Sequence, residues 1–194
     1  MENPTLSDDR LVARGWPGGF TIAACAALIA LAGAARTARA ETPPELLKYS
    51  GDYKYAGTRD QGVAIVDKAL DDGLSDLNMV MRLLVKKAIG DHFIEQIQIE
   101  VKGGRIAIKA GELPKTATED GKTENVKTPD GKYTIKVTHH FWEGKLIATS
   151  VGDNGTTTTV FELQPDGKTL QCNVTFKSDR LTKPIRYKLA YKRK

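Results

Sequence analysis

KYTIKVTHHFW, residues 132–142, is the stretch whose reading decides the fold. Tyr133, Ile135, Val137, His139 and Phe141 alternate there with Lys132, Thr134, Lys136, Thr138 and His140. A period of two is the mark of a strand with one buried face. Neighbouring residues on a strand project to opposite sides, so His139 and His140 cannot hold one metal ion together unless a bulge intervenes. Parity sends His139 inward with Val137 and Phe141, and His140 outward with Thr138 and Trp142. A neutral, buried histidine bonded to a neighbour is the plainest reading of His139; a polar contact to a molecule in a cavity is the alternative, and haem or metal ligation a third.

The same alternation recurs in Phe93, Ile97, Ile99, Val101, in Leu170, Cys172, Val174, Phe176, and in Ile185, Tyr187, Leu189, Tyr191. Gly103-Gly104, Asp120-Gly121, Asp130-Gly131, Glu143-Gly144, Asn154-Gly155 and Asp166-Gly167 stand between such runs, with Pro129 and Pro165 leading two of them. Glycine and asparagine accept the positive φ that tight hairpins need. Short strands at roughly 8–12-residue spacing joined by hairpins predict an antiparallel up-and-down barrel or a sandwich. Lys115 to Lys127 is poor in apolar residues and reads as a solvated strand, an edge hairpin or a mobile flap.

The alternation fails early in the chain. After a candidate strand at Tyr53 to Ala56, residues 61–89 take helical spacing. Val63, Val66 and Leu70 mark a first helix stopped by Gly73, and Leu77, Val80, Met81, Leu84 and Ala88 share one face of a second, with Ser75 as its expected N-cap.

Residues 1–40 have the zones of an export signal. Arg10 and Arg14 precede the apolar run from Phe20 to Ala35, and Ala38-Arg39-Ala40 offers small residues for cleavage after Ala40. The run is shorter than the roughly 20 residues a spanning helix needs. Ile22-Ala23-Ala24-Cys25 offers lipidation as a competing fate, although most of the apolar run follows Cys25. The expected domains are thus a signal peptide, 1–40, and one β-domain, 41–194, in the periplasm or outside the cell. Cleavage removes four of the 29 basic and three of the 24 acidic side chains, leaving a net charge of +4. One cysteine, Cys172, then remains, so no internal disulfide forms and stability comes from packing.

No catalytic signature is present: no G-x-S-x-G, no H-E-x-x-H, no Walker loop, no paired carboxylates assignable to one cleft. Cys172 shares a face with Leu170, Val174 and Phe176 and reads as a small core residue. The chain is read as a non-enzyme without a cofactor. Arg180, Lys183, Arg186, Lys188, Lys192, Arg193 and Lys194 make the C-terminus basic. With strand alternation and a charge of only +4, they read as the outer face of a closing strand, not as a nucleic-acid surface; membrane contact is at most peripheral.

The order strand, helix pair, long meander resembles the intracellular fatty-acid-binding proteins of the calycin group. The likeness is carried by YSGDYKYAG as a first strand, AIVDKALDDGLSDLNMVMRLL where the lid stands, and LTKPIRYKLAYKR as a closing strand, and it extends to uncharacterised exported lipocalin-like proteins of bacteria. It implies a mainly β fold, an up-and-down antiparallel barrel of about ten strands with a helix pair between the first and second. It also implies an inward Arg and Tyr, two residues apart on the last strand, clamping a carboxylate. This chain departs from that pattern, because Arg186 and Lys188 share one face while Tyr187, Leu189 and Tyr191 share the apolar one. Resemblance to nitrobindin-type haem barrels would require an open histidine, and His139 or His92 are the only internal choices.

The expected function is to hold a small hydrophobic or amphipathic, lipid-like molecule in a monomeric barrel. The residues expected to line the site are Tyr133, Val137, His139, Phe141, Thr157, Thr159, Phe161, Tyr187 and Tyr191. A few polar groups in an apolar concavity are how such pockets are built. The runner-up is a barrel filled by its own side chains that engages an envelope protein partner at its surface.

Overall fold

In the computed structural model the described residues are 41–80, 82–83, 86, 93–128 and 131–194. Cys25 and Ala40, His92, the helix positions Met81, Leu84 and Ala88, and the turn residues Pro129 and Asp130 lie outside them.

Ten antiparallel strands form a nearly closed barrel among the described residues. A short helix α1 (Pro44–Leu47) precedes β1 (Gly51–Tyr55), and α2 (Arg59–Gly73) follows it. Then come β2 (Gln96–Lys102), β3 (Arg105–Ala110), β4 (Thr116–Glu119), β5 (Thr123–Lys127), β6 (Thr134–Trp142), β7 (Lys145–Gly152), β8 (Gly155–Leu163), β9 (Thr169–Lys177) and β10 (Ile185–Arg193). The first strand pairs with the last, Tyr55 opposite Tyr191. The sheet therefore curls back on itself and leaves one seam, between β4 and β5.

Turn chemistry explains the meander. At the β6–β7 hairpin Glu143 (φ 48°) and Gly144 (φ 74°) both take left-handed backbone, the geometry that matches strand twist in a two-residue turn. Asp120-Gly121 is different. It joins β4 to β5, which are the two edges of the sheet and not hairpin partners. The polar stretch 115–127 thus forms both edges, where a strand needs little apolar content.

Helix α2 starts at a capping box: Thr58 Oγ1 accepts from Gln61 N (3.3 Å) while Gln61 Oε1 accepts from Thr58 N (3.0 Å), so two end donors are satisfied. Its inward stripe, Gly62, Val66, Leu70 and Gly73, is buried, and Gly73 ends it as expected. Two expectations about the next helix are corrected. Ser75 sits in the turn, its hydroxyl donating to Asp72 O (3.0 Å), and helical residues begin at 79, where Arg82 N bonds to Asn78 O (2.9 Å). Val80 faces solvent at 67% exposure; packing, not the apolar count, sets the buried face.

α1 was not foreseen. Its Leu46, with Tyr49 just beyond it, is buried in the floor of the barrel beside Tyr53, Ile99, Leu146, Phe161 and Leu170. Tyr49 Oη accepts from Leu163 N (3.1 Å) and lies 2.8 Å from Gly144 O and 3.2 Å from Phe161 O. One phenol thereby ties the N-terminal segment to the β6–β7 and β8–β9 ends of the barrel.

Candidate functional site

Cross-strand register stacks the inward side chains of β6 to β10 into rings. Phe141, Leu146, Phe161, Cys172 and Leu189 are successive partners and form the lowest. His139, Ala148, Thr159, Val174 and Tyr187 form the next, and Val137, Ser150, Thr157, Phe176 and Ile185 the one above. The lowest ring is buried apart from Phe141, which is half-buried with its ring edge-on to Tyr49. The upper two rings split. Val137, His139 and Ile185 are buried, whereas Ala148, Ser150, Thr157, Thr159, Val174, Phe176 and Tyr187 are only half-buried.

Local contacts explain the split. Ile185 lies under α2, so close that a Cβ built on Gly73 would stand 2.4 Å from its Cγ1. Val137 and His139 lie against the seam. His139, 1% exposed, puts Nδ1 2.9 Å from Ile106 O on β3 and Nε2 3.2 Å from Thr116 Oγ1 on β4. Its backbone N donates to Thr118 Oγ1 (3.1 Å), and its backbone O accepts from Gly121 N (2.8 Å). Ile106 O can only accept, so Nδ1 carries the proton and Nε2 accepts from Thr116. Burial depresses the His139 pKa, against opposing pulls from the Ile106 carbonyl and the Glu124 charge. The Arg105–Glu124 ion pair (2.8 Å) crosses the same gap from β3 to β5. Since β4 and β5 share no ladder, His139 supplies much of what holds the seam shut.

The expected site residues thus fall into three groups. Thr157, Thr159 and Tyr187 are half-buried on the inner face of the barrel. Val137, His139, Phe141, Phe161 and Tyr191 belong to its wall and floor; Tyr191 Oη donates to Ile94 O (2.7 Å). Tyr133 is corrected: it precedes β6, in the connection from β5, 57% exposed, its backbone N bonded to Thr128 Oγ1 (3.1 Å). Ala148 and Ser150 were missed because IATSVG alternates weakly; their register follows only once the Glu143-Gly144 turn is placed. Val174 and Phe176 were legible as an inward face but were not carried into the site.

His140 points outward, its ring stacked on Trp142 (5.9 Å) and its Nδ1 3.0 Å from Asp120 Oδ1. The two histidines lie on opposite sides of the wall. Among the described residues no cluster of three metal-ligating side chains occurs. No described helix is long and apolar enough to cross a membrane. Burial raises the Cys172 thiol pKa, so it is not a ready nucleophile.

No family model and no curated protein sequence matches the chain. Solved structures do. An abundant heat soluble (SAHS) protein of Ramazzottius varieornatus matches with a TM-score of 0.50 at 13% identity, over 76% of this chain and 96% of that one. The fatty-acid-binding protein 1 of Echinococcus granulosus matches at 0.49 and 12% identity, over 75% and 97%. The Schistosoma mansoni fatty acid binding protein, in complex with arachidonic acid, matches at 0.49 and 18%, over 77% and 98%. The likeness is one of fold, an antiparallel β-barrel. The closing strand of this barrel turns Tyr187, Leu189 and Tyr191 inward and leaves Arg186, Lys188 and Lys192 exposed.

Proposed function

We propose that this protein holds a small apolar or amphipathic molecule in the upper lumen of its barrel. The observation that carries the reading is the split between rings. Side chains on the inner face of β7, β8 and β9 stay half-buried directly above a floor whose members, Phe141 apart, are buried. Inward groups that keep accessible surface border unfilled space, and a site with apolar walls and a few hydroxyls is suited to an amphiphile. The role requires no chemistry from the protein, and the reading is of a carrier and not an enzyme. We also propose that residues 1–40 direct export and are removed near Ala40, which would put the carrier in the periplasm or outside the cell.

Native mass spectrometry of protein purified without organic solvent tests both. The expected result is a chain beginning near Glu41 with a non-covalent adduct of lipid-like mass that organic extraction removes. A bare polypeptide mass, together with a stable complex with another exported protein, would favour the filled-barrel reading instead.

A further inference from the structure

The inner face also states what kind of head group it can take. Every described inward position of β6 to β10 is uncharged at neutral pH except Arg193. Arg193 sits at the floor end, its Nη2 bonded to Lys48 O and to Tyr53 Oη (2.7 Å) and its guanidinium over the Tyr53 ring. It is built into the floor and not directed at the lumen. Across the seam Glu124 shares the face of its partner Val137 and is ion-paired with Arg105. α2 likewise turns Val66 and Leu70 inward and Asp67, Lys68, Asp71 and Asp72 to solvent.

Four hydroxyls remain in the half-buried sector: Ser150, Thr157, Thr159 and Tyr187. None of them has a hydrogen-bond partner among the described residues, whereas the deeper Tyr49, Tyr53 and Tyr191 phenols are all engaged. Thr157 is the direct cross-strand partner of Ser150, and Thr159 lies two residues along the same face of β8. Tyr187 faces them from β10, two strands away in the ring that holds Thr159. Hydroxyls can donate to or accept from an alcohol, ester or amide. A carboxylate placed among them would be desolvated with no cation among the described inward side chains of β6 to β10 beside it, which is costly in an apolar site.

Resting on the carrier reading above, we infer that the lumen selects uncharged amphiphiles, with a hydroxyl, ester or amide head group set among Ser150, Thr157, Thr159 and Tyr187, over the corresponding fatty-acid anions. Burial pushes the Tyr187 phenol up to about 12, so it stays a donor across the physiological range. With Arg193 engaged at the floor, the lack of a cation beside these four hydroxyls among the described inward residues of β6 to β10 is a specificity device and not a defect of a carboxylate clamp.

The test is competition. Nile red, a neutral dye, is bound to the purified protein and displaced at pH 8 by oleyl alcohol, 1-monoolein or oleate, which share one chain length. The alcohol and monoglyceride are expected to compete at least about tenfold more tightly than oleate. Tyr187→Phe is expected to weaken monoolein relative to Nile red about three- to tenfold, a lost hydrogen bond. Thr159→Arg, which supplies the missing cation, is expected to shift preference towards oleate. Oleate competing as well as the alcohol in the wild-type protein would overturn the selectivity while leaving the carrier reading intact. Failure of Nile red and all three lipids to bind would overturn the carrier reading itself.

Discussion

Acidification should loosen the barrel through His139 before it affects the rest of the fold. The ring is buried at the seam, neutral, with Nδ1 donating to Ile106 O and Nε2 facing Thr116 Oγ1. Its pKa in the folded protein is lowered, chiefly by burial. The unfolded chain titrates this group near 6.5, so below that pH the unfolded state binds the proton more readily than the folded one. Stability is therefore intact above about pH 6.5 and falls as the pH drops below it, by at most about 1.4 kcal/mol per pH unit for one histidine. A loss of that size is a sizeable share of a typical domain's stability of about 5–15 kcal/mol. The assay is urea unfolding at pH 7.5, 6.5 and 5.5, followed by tryptophan fluorescence, for the wild type and His139→Gln. Glutamine keeps a donor and an acceptor but does not titrate. The wild type should lose stability between pH 6.5 and 5.5 with a slope that the variant lacks. Parallel curves, or a wild type that gains stability on acidification, would refute the assignment of His139 as a neutral closing group.

Other changes probe the floor and the lid. Tyr49→Phe removes the phenol from part-buried Leu163 N and Gly144 O and from the buried Phe161 carbonyl and should cost about 1–3 kcal/mol by urea unfolding. Gly62→Ala sets helix propensity, worth up to about 1 kcal/mol in favour, against a Cβ only 2.0 Å from Phe93 Cε2. The overlap should win, with a net loss of about 1–3 kcal/mol; a stabilised variant would show that Phe93 moves aside freely. Asp76→Asn weakens the link from the turn after α2 to Thr182 and Lys183 in the β9–β10 connection, and hydrogen exchange should then speed up at residues 74–77 while β6–β8 amides stay protected.

The architecture was legible because its signals are local. Alternation in β6, β9 and β10 and the glycine turns are read within a few residues of each other, and the inward tyrosine face of β10 follows from parity alone. The seam was not legible. Its contacts join His139 to Thr116, Thr118 and Ile106, positions 20 or more residues away that no local pattern relates. Parity tells which face a residue takes but not its height along the barrel, which is why Phe161 and Thr159, two residues apart on one face, were grouped together although one is buried in the floor and the other half-buried above it. α1 is four residues long, too short for a periodic signal. The T-x-x-Q spacing of Thr58 and Gln61 marks the start of α2 but was not read as a cap, and Ser75 misled because a serine hydroxyl can bond back to a preceding carbonyl as readily as it caps a helix.

The account depends on open space above the floor of the barrel. Its most direct test is Nile red titrated with the wild-type protein and with Thr159→Trp, whose indole would fill the ring that Thr159 shares with Ala148, Val174 and Tyr187. Saturable one-to-one binding by the wild type, lost in a Thr159→Trp variant that retains its β-sheet circular dichroism, is the predicted result. Equal binding by both proteins, or none by either, would contradict it.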